Sequence, residues 1–317
     1  MRAFSTCWNT HRHTEGEAIA AEIGELGFNT IEISHGTRLT LLPGFFKAVD
    51  SGEIRVCSVH HPCPSPVELL HDAPDLYEFS DEVESHRNRA LKLAERSLET
   101  AARVGADRMV IHLGSVPIKP VTSELEALAK NGGLFGREFT RAKLDLLKRR
   151  TDLIQASLER SLAALDHLLP LAEKHGVRIG IETRSHHEHI PTVEELTRIL
   201  ERFSDCPWIG AWHDFGHVQR QANLSFLNHE QALRSISPRL LGCHIHDVGW
   251  PDRDHRAPLS TGGVDFSTLL PLLPAEIPLV WEMSPSQSAE VIRRALKSWS
   301  AQFEGASLRS TDLPQPA

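Results

Sequence analysis

The sequence lacks the features that mark membrane, secreted and nucleotide-binding proteins. It has no run of about 18 apolar residues, so we expect no transmembrane helix. Its first residues lack the apolar stretch of a signal peptide. The five cysteines are odd in number and never spaced Cys-x-x-Cys, which fits a reducing cytoplasm. No Gly-x-Gly-x-x-Gly follows the first predicted strand, so a doubly wound nucleotide-binding sheet has no support.

Basic charge and aromatic side chains are also scarce. Thirty-four Lys and Arg stand against 42 Asp and Glu, a net charge of −8, and the chain has one tyrosine and 6% aromatic residues. A protein that binds DNA needs a basic face, and recognition of damaged sites needs aromatic wedges. The composition therefore argues against nucleic acid as a partner. The unusual abundance is histidine, with nineteen residues.

Eight short apolar segments alternate with longer amphipathic stretches. The predicted strands are Ala3–Trp8, Thr30–Ser34, Arg55–His60, Arg108–His112, Arg178–Glu182, Ile209–Asp214, Leu240–His246 and Leu279–Glu282. The predicted helices are Glu17–Leu26, Asp81–Val104, Asp152–His175, Thr192–Phe203 and Gln287–Phe303. Parallel strands need long crossovers, so this alternation predicts an α/β fold, a (β/α)8 TIM barrel, as one domain over residues 1–303.

One segment does not fit the repeat. Residues 115–150, after the fourth strand, include Pro117, Pro120 and a glycine-rich turn. A connection this long is usually a functional element, which predicts an insertion that acts as a lid. The alternative is an elaborated fourth helix with solvated basic residues, and the sequence does not separate the two. Residues 304–317 are predicted to form a flexible C-terminal tail.

Strands 3 to 8 each end on an imidazole or a carboxylate. These side chains are His60, His112, Glu182, Asp214, His244 with His246, and Glu282. Active sites of TIM barrels lie at the carboxyl ends of the strands. Burying such groups together is costly without a cation, and they are the usual ligands of divalent metals. The pattern therefore predicts a metal site, whereas His61, His86, His186, His187 and His189 are predicted to be surface or loop histidines.

These strand ends resemble a known superfamily over residues 1–303. The motifs are Glu182-Thr183-Arg184, Asp214-Phe215-Gly216-His217, His244-Ile245-His246-Asp247, the loop from Asp254-His255 to Asp265-Phe266, and Glu282. In this order they are similar to the xylose-isomerase-like TIM barrels. That superfamily includes sugar and sugar-phosphate isomerases and epimerases, inosose and dehydroshikimate dehydratases, and endonuclease IV.

The resemblance implies a metal-dependent enzyme acting on a sugar, keto-sugar or cyclitol. One divalent ion (Mn, Co, Mg or Zn) would be held by Glu182, Asp214, His244 and Glu282. Glu182 and Glu282 would be the catalytic residues, moving a proton next to a carbonyl through an enediolate. The outcome would be isomerisation, epimerisation or dehydration. The residues implied in substrate binding are Arg184, His217 and His246.

The same resemblance supports an alternative, a phosphoester hydrolase with two or three zinc ions like endonuclease IV. The additional ligands would be His60, His112, His217, His255 and Asp254. Arg253 stands where that endonuclease has an aspartate, two residues before the histidine, which is why Asp254 enters the set. A sugar-binding barrel that has lost its ion is a third reading, disfavoured because the four core positions are intact. Substrate identity stays open, as does homo-oligomerisation, which several members of the superfamily show.

Overall fold

The computed structural model describes residues 1–68 and 73–304, and its centre is a closed barrel of eight parallel strands. The order around the barrel is β1-β8-β7-β6-β5-β4-β3-β2, which closes back on β1. The strands are β1 (Arg2–Ser5), β2 (Thr30–Ile33), β3 (Arg55–His60), β4 (Arg108–Ile111), β5 (Arg178–Glu182), β6 (Ile209–Asp214), β7 (Leu240–Ile245) and β8 (Leu279–Trp281). The predicted (β/α)8 barrel is confirmed.

The strand bounds follow the predictions closely. The strands β3, β5 and β6 have the predicted bounds, and β2, β4, β7 and β8 each end one residue earlier. The larger difference is β1, which ends at Ser5 because Thr6–Trp8 turns into a 3-10 helix. There the Asn9 N–H donates to the Thr6 carbonyl at 3.1 Å.

Ten α-helices occur in the described part of the chain. They are α1 (Gly16–Glu25), α2 (Leu42–Asp50), α3 (Glu84–Arg103), α4 (Val121–Lys130), α5 (Arg137–His175), α6 (Val193–Arg202), α7 (Phe215–Asn223), α8 (His229–Ile236), α9 (Phe266–Leu269) and α10 (Ala289–Trp299). The start of α6 has the capping box that its sequence predicts: the Glu195 N–H donates to Thr192 Oγ1, and the Thr192 N–H donates to the Glu195 carboxylate. Within the described ranges, no helix combines the length and apolar character needed to cross a membrane.

The segment 115–150 is largely helical. It contains α4 and the first part of α5, which begins at Arg137 and not at the predicted Asp152. Leu125 and Phe139 pack together in an apolar cluster, and the Thr122 N–H donates to Glu188 Oε1 at 2.6 Å. These contacts fasten the segment to the loop that follows β5. Its role as a lid stays a prediction, and residues 305–317 of the predicted tail lie outside the described residues.

An apolar layer fills the lower interior of the barrel and supports the upper end. It consists of Ala3, Cys57, Val110, Trp212 and Val280. Trp212 needs glycine on its neighbours: a Cβ at Gly242 would lie 2.3 Å from its ring. Side chains of a strand alternate between its two faces, so the residue two positions beyond an inward one also points inward. On β4, β6 and β8 this alternation places His112, Asp214 and Glu282 two residues beyond the apolar layer.

Candidate metal centre

The predicted core set converges on one ring nitrogen. His244 Nδ1 lies 3.4 Å from Glu282 Oε2, 3.5 Å from Asp214 Oδ2 and 3.6 Å from Glu182 Oε1. None of these four side chains is more than slightly exposed, and His244 and Asp214 are fully buried. Two ligands about 2.1 Å from a tetrahedrally coordinated ion lie about 3.4 Å apart, so each of these nitrogen–oxygen distances suits a shared divalent metal. Glu182, Asp214 and His244 form one group able to hold an ion, and Glu282 is grouped with His244 and Glu32.

Glu32 sets which nitrogen of His244 faces the carboxylates. It lies on β2, and its Oε1 is 3.1 Å from His244 Nε2. Ser58 Oγ donates to Glu32 Oε2 at 2.8 Å, so the carboxylate is held on both sides. When a metal replaces the proton on Nδ1, His244 Nε2 can still donate to Glu32, and Nδ1 then offers its lone pair to the metal. Nδ1 is buried and has no hydrogen-bond partner in the described structure, as expected of a metal ligand.

The electrostatics of the core set also call for a cation. Burial lowers the pKa of His244, but the surrounding carboxylates, Glu282 first among them, raise that pKa well above its ordinary value. Burial raises the pKa of Glu182, but the charges of His112 and His244 hold it well below its ordinary value. The carboxylates are therefore ionised, and a positive charge among them is strongly favoured. The residues present fit a divalent metal.

Glu182 also faces a second pair of histidines. Its Oε2 lies 2.9 Å from His60 Nε2 and 3.0 Å from His112 Nε2. The other ring nitrogen of each histidine has a partner: His60 Nδ1 donates to the His61 carbonyl at 2.9 Å, and His112 Nδ1 donates to Asp75 Oδ1 at 2.6 Å. Both Nε2 atoms are thus directed at one carboxylate oxygen. These three residues form a second group able to hold a metal ion, sharing Glu182 with the first.

A third group surrounds Asp214. It contains Asp214, His217, His246 and His255. His217 Nδ1 lies 3.1 Å from Glu182 Oε1 and 3.5 Å from Asp214 Oδ2. His217 therefore borders the core set. Sequence analysis expected His217 to be both a metal ligand and a substrate contact.

His246, which the sequence analysis expects to bind substrate, has hydrogen-bond partners within the protein at both ring nitrogens. Its Nδ1 accepts the His255 N–H at 2.9 Å, which leaves the proton on Nε2. Nε2 then donates to Asp214 at 2.9 Å. In this arrangement the fully buried His246 orients Asp214, and its role in substrate binding stays a prediction. A Cβ on Gly216 would lie 2.0 Å from the His246 ring, so glycine is required there.

Asp254, a member of the predicted extended set, supports His255 instead of facing a metal. Its Oδ1 lies 3.0 Å from His255 Nδ1, and its Oδ2 lies 3.3 Å from Arg220 Nη1. It belongs to none of the ligand groups found in the described residues. His255 Nε2 lies 3.2 Å from Glu282 Oε2. The pair therefore places an imidazole against Glu282, one of the predicted catalytic residues.

The remaining histidines mostly match expectation. His186, His187 and His189 lie partly buried in the loop after β5, and His86 is largely exposed beside Asp81. His61 differs: it is 4% exposed, and its Nδ1 lies 3.2 Å from Ser97 Oγ. His61 therefore lies in the loop after β3, within the prediction of a surface or loop position, but its ring is buried against α3.

Sequence analysis missed two carboxylates. Glu32 had a detectable signal, since it is the single charged residue of the otherwise apolar run Thr30–Ile33. Asp75 had none. It lies in the connection between β3 and α3, and only the fold brings it to His112 and Arg184.

Comparisons with known proteins agree with this architecture. A family profile described as xylose isomerase-like TIM barrel matches residues 20–302. No curated protein matches the chain. Similar solved structures include a D-tagatose 3-epimerase-like protein (16% identity, 96% of this chain and 99% of that chain, TM-score 0.69). An L-ribulose 3-epimerase matches at 15% identity (99% of each chain, TM-score 0.70). A 3-keto-D-glucoside 4-epimerase from E. coli matches at 17% identity (95% and 98%, TM-score 0.65). At these identities the likeness shows a shared fold.

Proposed function

Because this chain belongs to the xylose isomerase-like TIM-barrel family, we propose that it is a divalent-metal-dependent sugar isomerase, epimerase or dehydratase. Its partner would be a small sugar, keto-sugar or cyclitol. The observation that carries the proposal is the buried, unpartnered Nδ1 of His244 facing three carboxylates. The epimerase names of the similar structures favour epimerisation among the three outcomes.

The metal would be held by Glu182, Asp214, His244 and Glu282. One nitrogen and carboxylate oxygens suit Mn, Co, Mg or Zn, and the donor set alone does not choose among them. A divalent ion bound there supplies Lewis-acid stabilisation of the oxygen that becomes negative when a proton leaves the neighbouring carbon. Glu32 and His246 keep His244 and Asp214 in the required orientation.

The proton transfers are assigned to Glu182 and Glu282. They come from strands three places apart in the barrel, so their carboxylates reach a substrate from different sides. One carboxylate removes the proton next to the carbonyl, and the other returns it, which gives epimerisation or isomerisation. Loss of a hydroxyl from the next carbon in place of reprotonation gives dehydration. The His255 Nε2, 3.2 Å from Glu282, is able to exchange a proton with that carboxylate.

The test is solvent exchange with a panel of ketoses. The metal-loaded protein is incubated in D2O with ketohexoses, and deuterium entering next to the carbonyl is followed by NMR. Glu182→Gln and Glu282→Gln should each reduce exchange about 10²- to 10⁴-fold, the usual contribution of general acid–base catalysis. Glu276→Gln, at an exposed position, is the matched control. Full exchange by both site variants would refute the two-carboxylate mechanism.

A second candidate is an endonuclease IV-like phosphoester hydrolase with two or three zinc ions. The position of Glu182 Oε2 between His60 Nε2 and His112 Nε2 favours it, because a carboxylate shared by two ligand groups suits two ions. Two or three zinc per chain, with cleavage of bis(p-nitrophenyl) phosphate, would favour this candidate. The net charge of −8 argues for a small phosphoester over DNA.

A further inference from the structure

Arg184 carries a buried positive charge that the chain only partly satisfies. It lies two residues beyond β5, and its side chain is 6% exposed. Its Nη2 donates to Asp75 Oδ2 at 2.7 Å. Its Nε and Nη1 are buried without a hydrogen-bond partner among the described residues. Buried donors without acceptors are costly, most of all on a charged group, so a further acceptor group at this guanidinium would be stabilising.

A second unsatisfied nitrogen belongs to the same loop. His189 Nδ1 is also buried and has no partner within the described ranges. Burial, followed by the positive charge of Arg184, holds the pKa of His189 well below its ordinary value. His189 is therefore a neutral imidazole within electrostatic reach of Arg184, and it can donate from Nδ1.

The neighbouring carboxylate of Asp75 reaches only one of the guanidinium nitrogens, Nη2. Asp75 Oδ1 is engaged by His112 Nδ1 at 2.6 Å, and Asp75 Oδ2 by Arg184. The other titratable side chains acting on His189 are imidazoles, those of His186 and His112. Among residues 1–68 and 73–304, no acceptor reaches these donors, so a group carried by a ligand could satisfy them. A guanidinium with unpartnered Nε and Nη1 suits an oxyanion, which accepts charge-assisted hydrogen bonds.

This position is beside the proposed reaction site. His112 connects the two directly, because its Nδ1 meets Asp75 while its Nε2 meets Glu182. Asp75 is one-third exposed, at 33%, so it lies at the mouth with Arg184 behind it. The strands β4 and β8 lie opposite each other in the closed barrel, which puts His112 across the mouth from Glu282. A sugar with its reacting carbon near Glu182 and Glu282 has its far end toward Arg184.

We propose that the substrate carries an oxyanion, a carboxylate or a phosphate, which Arg184 binds together with His189. The substrate class is then an acidic sugar and not a neutral one. This inference rests on the proposed function, since it assigns the far end of the substrate whose near end would react between the two glutamates.

The experiment compares matched sugars by titration calorimetry on the metal-loaded protein. The neutral ligands are D-glucose and D-fructose, the carboxylates are D-glucuronate and D-galacturonate, and the phosphates are the 6-phosphates of glucose and fructose. Each is titrated into the wild type, Arg184→Gln, Arg184→Lys and the control Arg198→Gln, which removes an exposed arginine of α6. The separate uronate and phosphate ligands identify which oxyanion is preferred.

We expect an acidic sugar to bind wild type and Arg198→Gln about tenfold or more tightly than its neutral parent. Arg184→Gln should abolish that preference, and Arg184→Lys should restore part of it. Two results would overturn the inference and leave the proposed function standing. One is that neutral sugars bind as tightly as acidic ones, and the other is that the preference for acidic sugars survives in Arg184→Gln. Failure of every sugar to bind would overturn both. The wild-type comparison decides the matter even if Arg184→Gln does not fold.

Discussion

Replacement of Glu32 by glutamine tests whether a residue outside the ligand set controls metal binding. Glu32 is fully buried, and its carboxylate accepts hydrogen bonds from His244 Nε2 at 3.1 Å and from Ser58 Oγ at 2.8 Å. A hydrogen bond to a charged group contributes about 1.5–3 kcal/mol. The amide oxygen of glutamine can still accept, so only part of that energy is lost. Loss of such an outer partner usually weakens metal binding about 10- to 100-fold, and we expect the lower end, about 10-fold or 1.4 kcal/mol.

The assay is titration of Mn²⁺ or Zn²⁺ into metal-free protein, followed calorimetrically. Glu53→Gln, an exposed glutamate on the turn after α2, is the control and should bind metal as the wild type does. Ser58→Ala should weaken binding less than Glu32→Gln, because it removes only the support of the carboxylate. Unchanged affinity in Glu32→Gln would refute the reasoning that this carboxylate directs His244 Nδ1 toward the metal.

Two further predictions concern packing and pH. Gly216→Ala should weaken metal binding and destabilise the fold by about 1–3 kcal/mol, because the new Cβ would lie 2.0 Å from the His246 ring. Gly24→Ala in α1 is the control: a Cβ there would have no atom within 4 Å, so this substitution should stabilise the fold slightly. Burial lowers the pKa of His229 to about 4, against about 6.5 when unfolded. The unfolded chain therefore binds more protons between these values, and the free energy of unfolding falls as pH drops from 6.5 to 4, by up to about 1.4 kcal/mol per unit. In urea titrations, the free energy of unfolding of His229→Gln should vary less with pH than that of the wild type, whereas the exposed control His11→Gln should behave as the wild type does. An unchanged pH dependence in His229→Gln would contradict the claim that buried His229 causes the loss of stability.

The barrel and the side chains that meet at its upper end were predictable because both depend on local patterns. Apolar β-branched runs mark the strands, and the alternation of side chains fixes which residue of each strand end points inward. That is why Glu182, Asp214 and Glu282 could be assigned together from sequence: each stands at the end of its run. Closure of the eight strands into a barrel is then sufficient to bring these side chains together.

The supporting contacts were not predictable because they join residues that are distant in sequence. Asp75 reaches His112 and Arg184 from a connection with no regular pattern. The contacts of His246 were hidden from the sequence for a similar reason, and its substrate role stays a prediction. Its two ring nitrogens are occupied by the His255 backbone and by Asp214, and neither bond is encoded by spacing. Likewise, Asp254 turns to His255 and Arg220 because the strand Arg253–Arg256 directs it there.

The most direct test of the central claim is anomalous diffraction from a crystal soaked in Mn²⁺ or Zn²⁺. We predict a single strong peak, or the strongest of several, bonded to His244 Nδ1 and to carboxylate oxygens of Glu182, Asp214 and Glu282. No peak among these four side chains at saturating metal, or a peak only elsewhere on the barrel, would contradict the account.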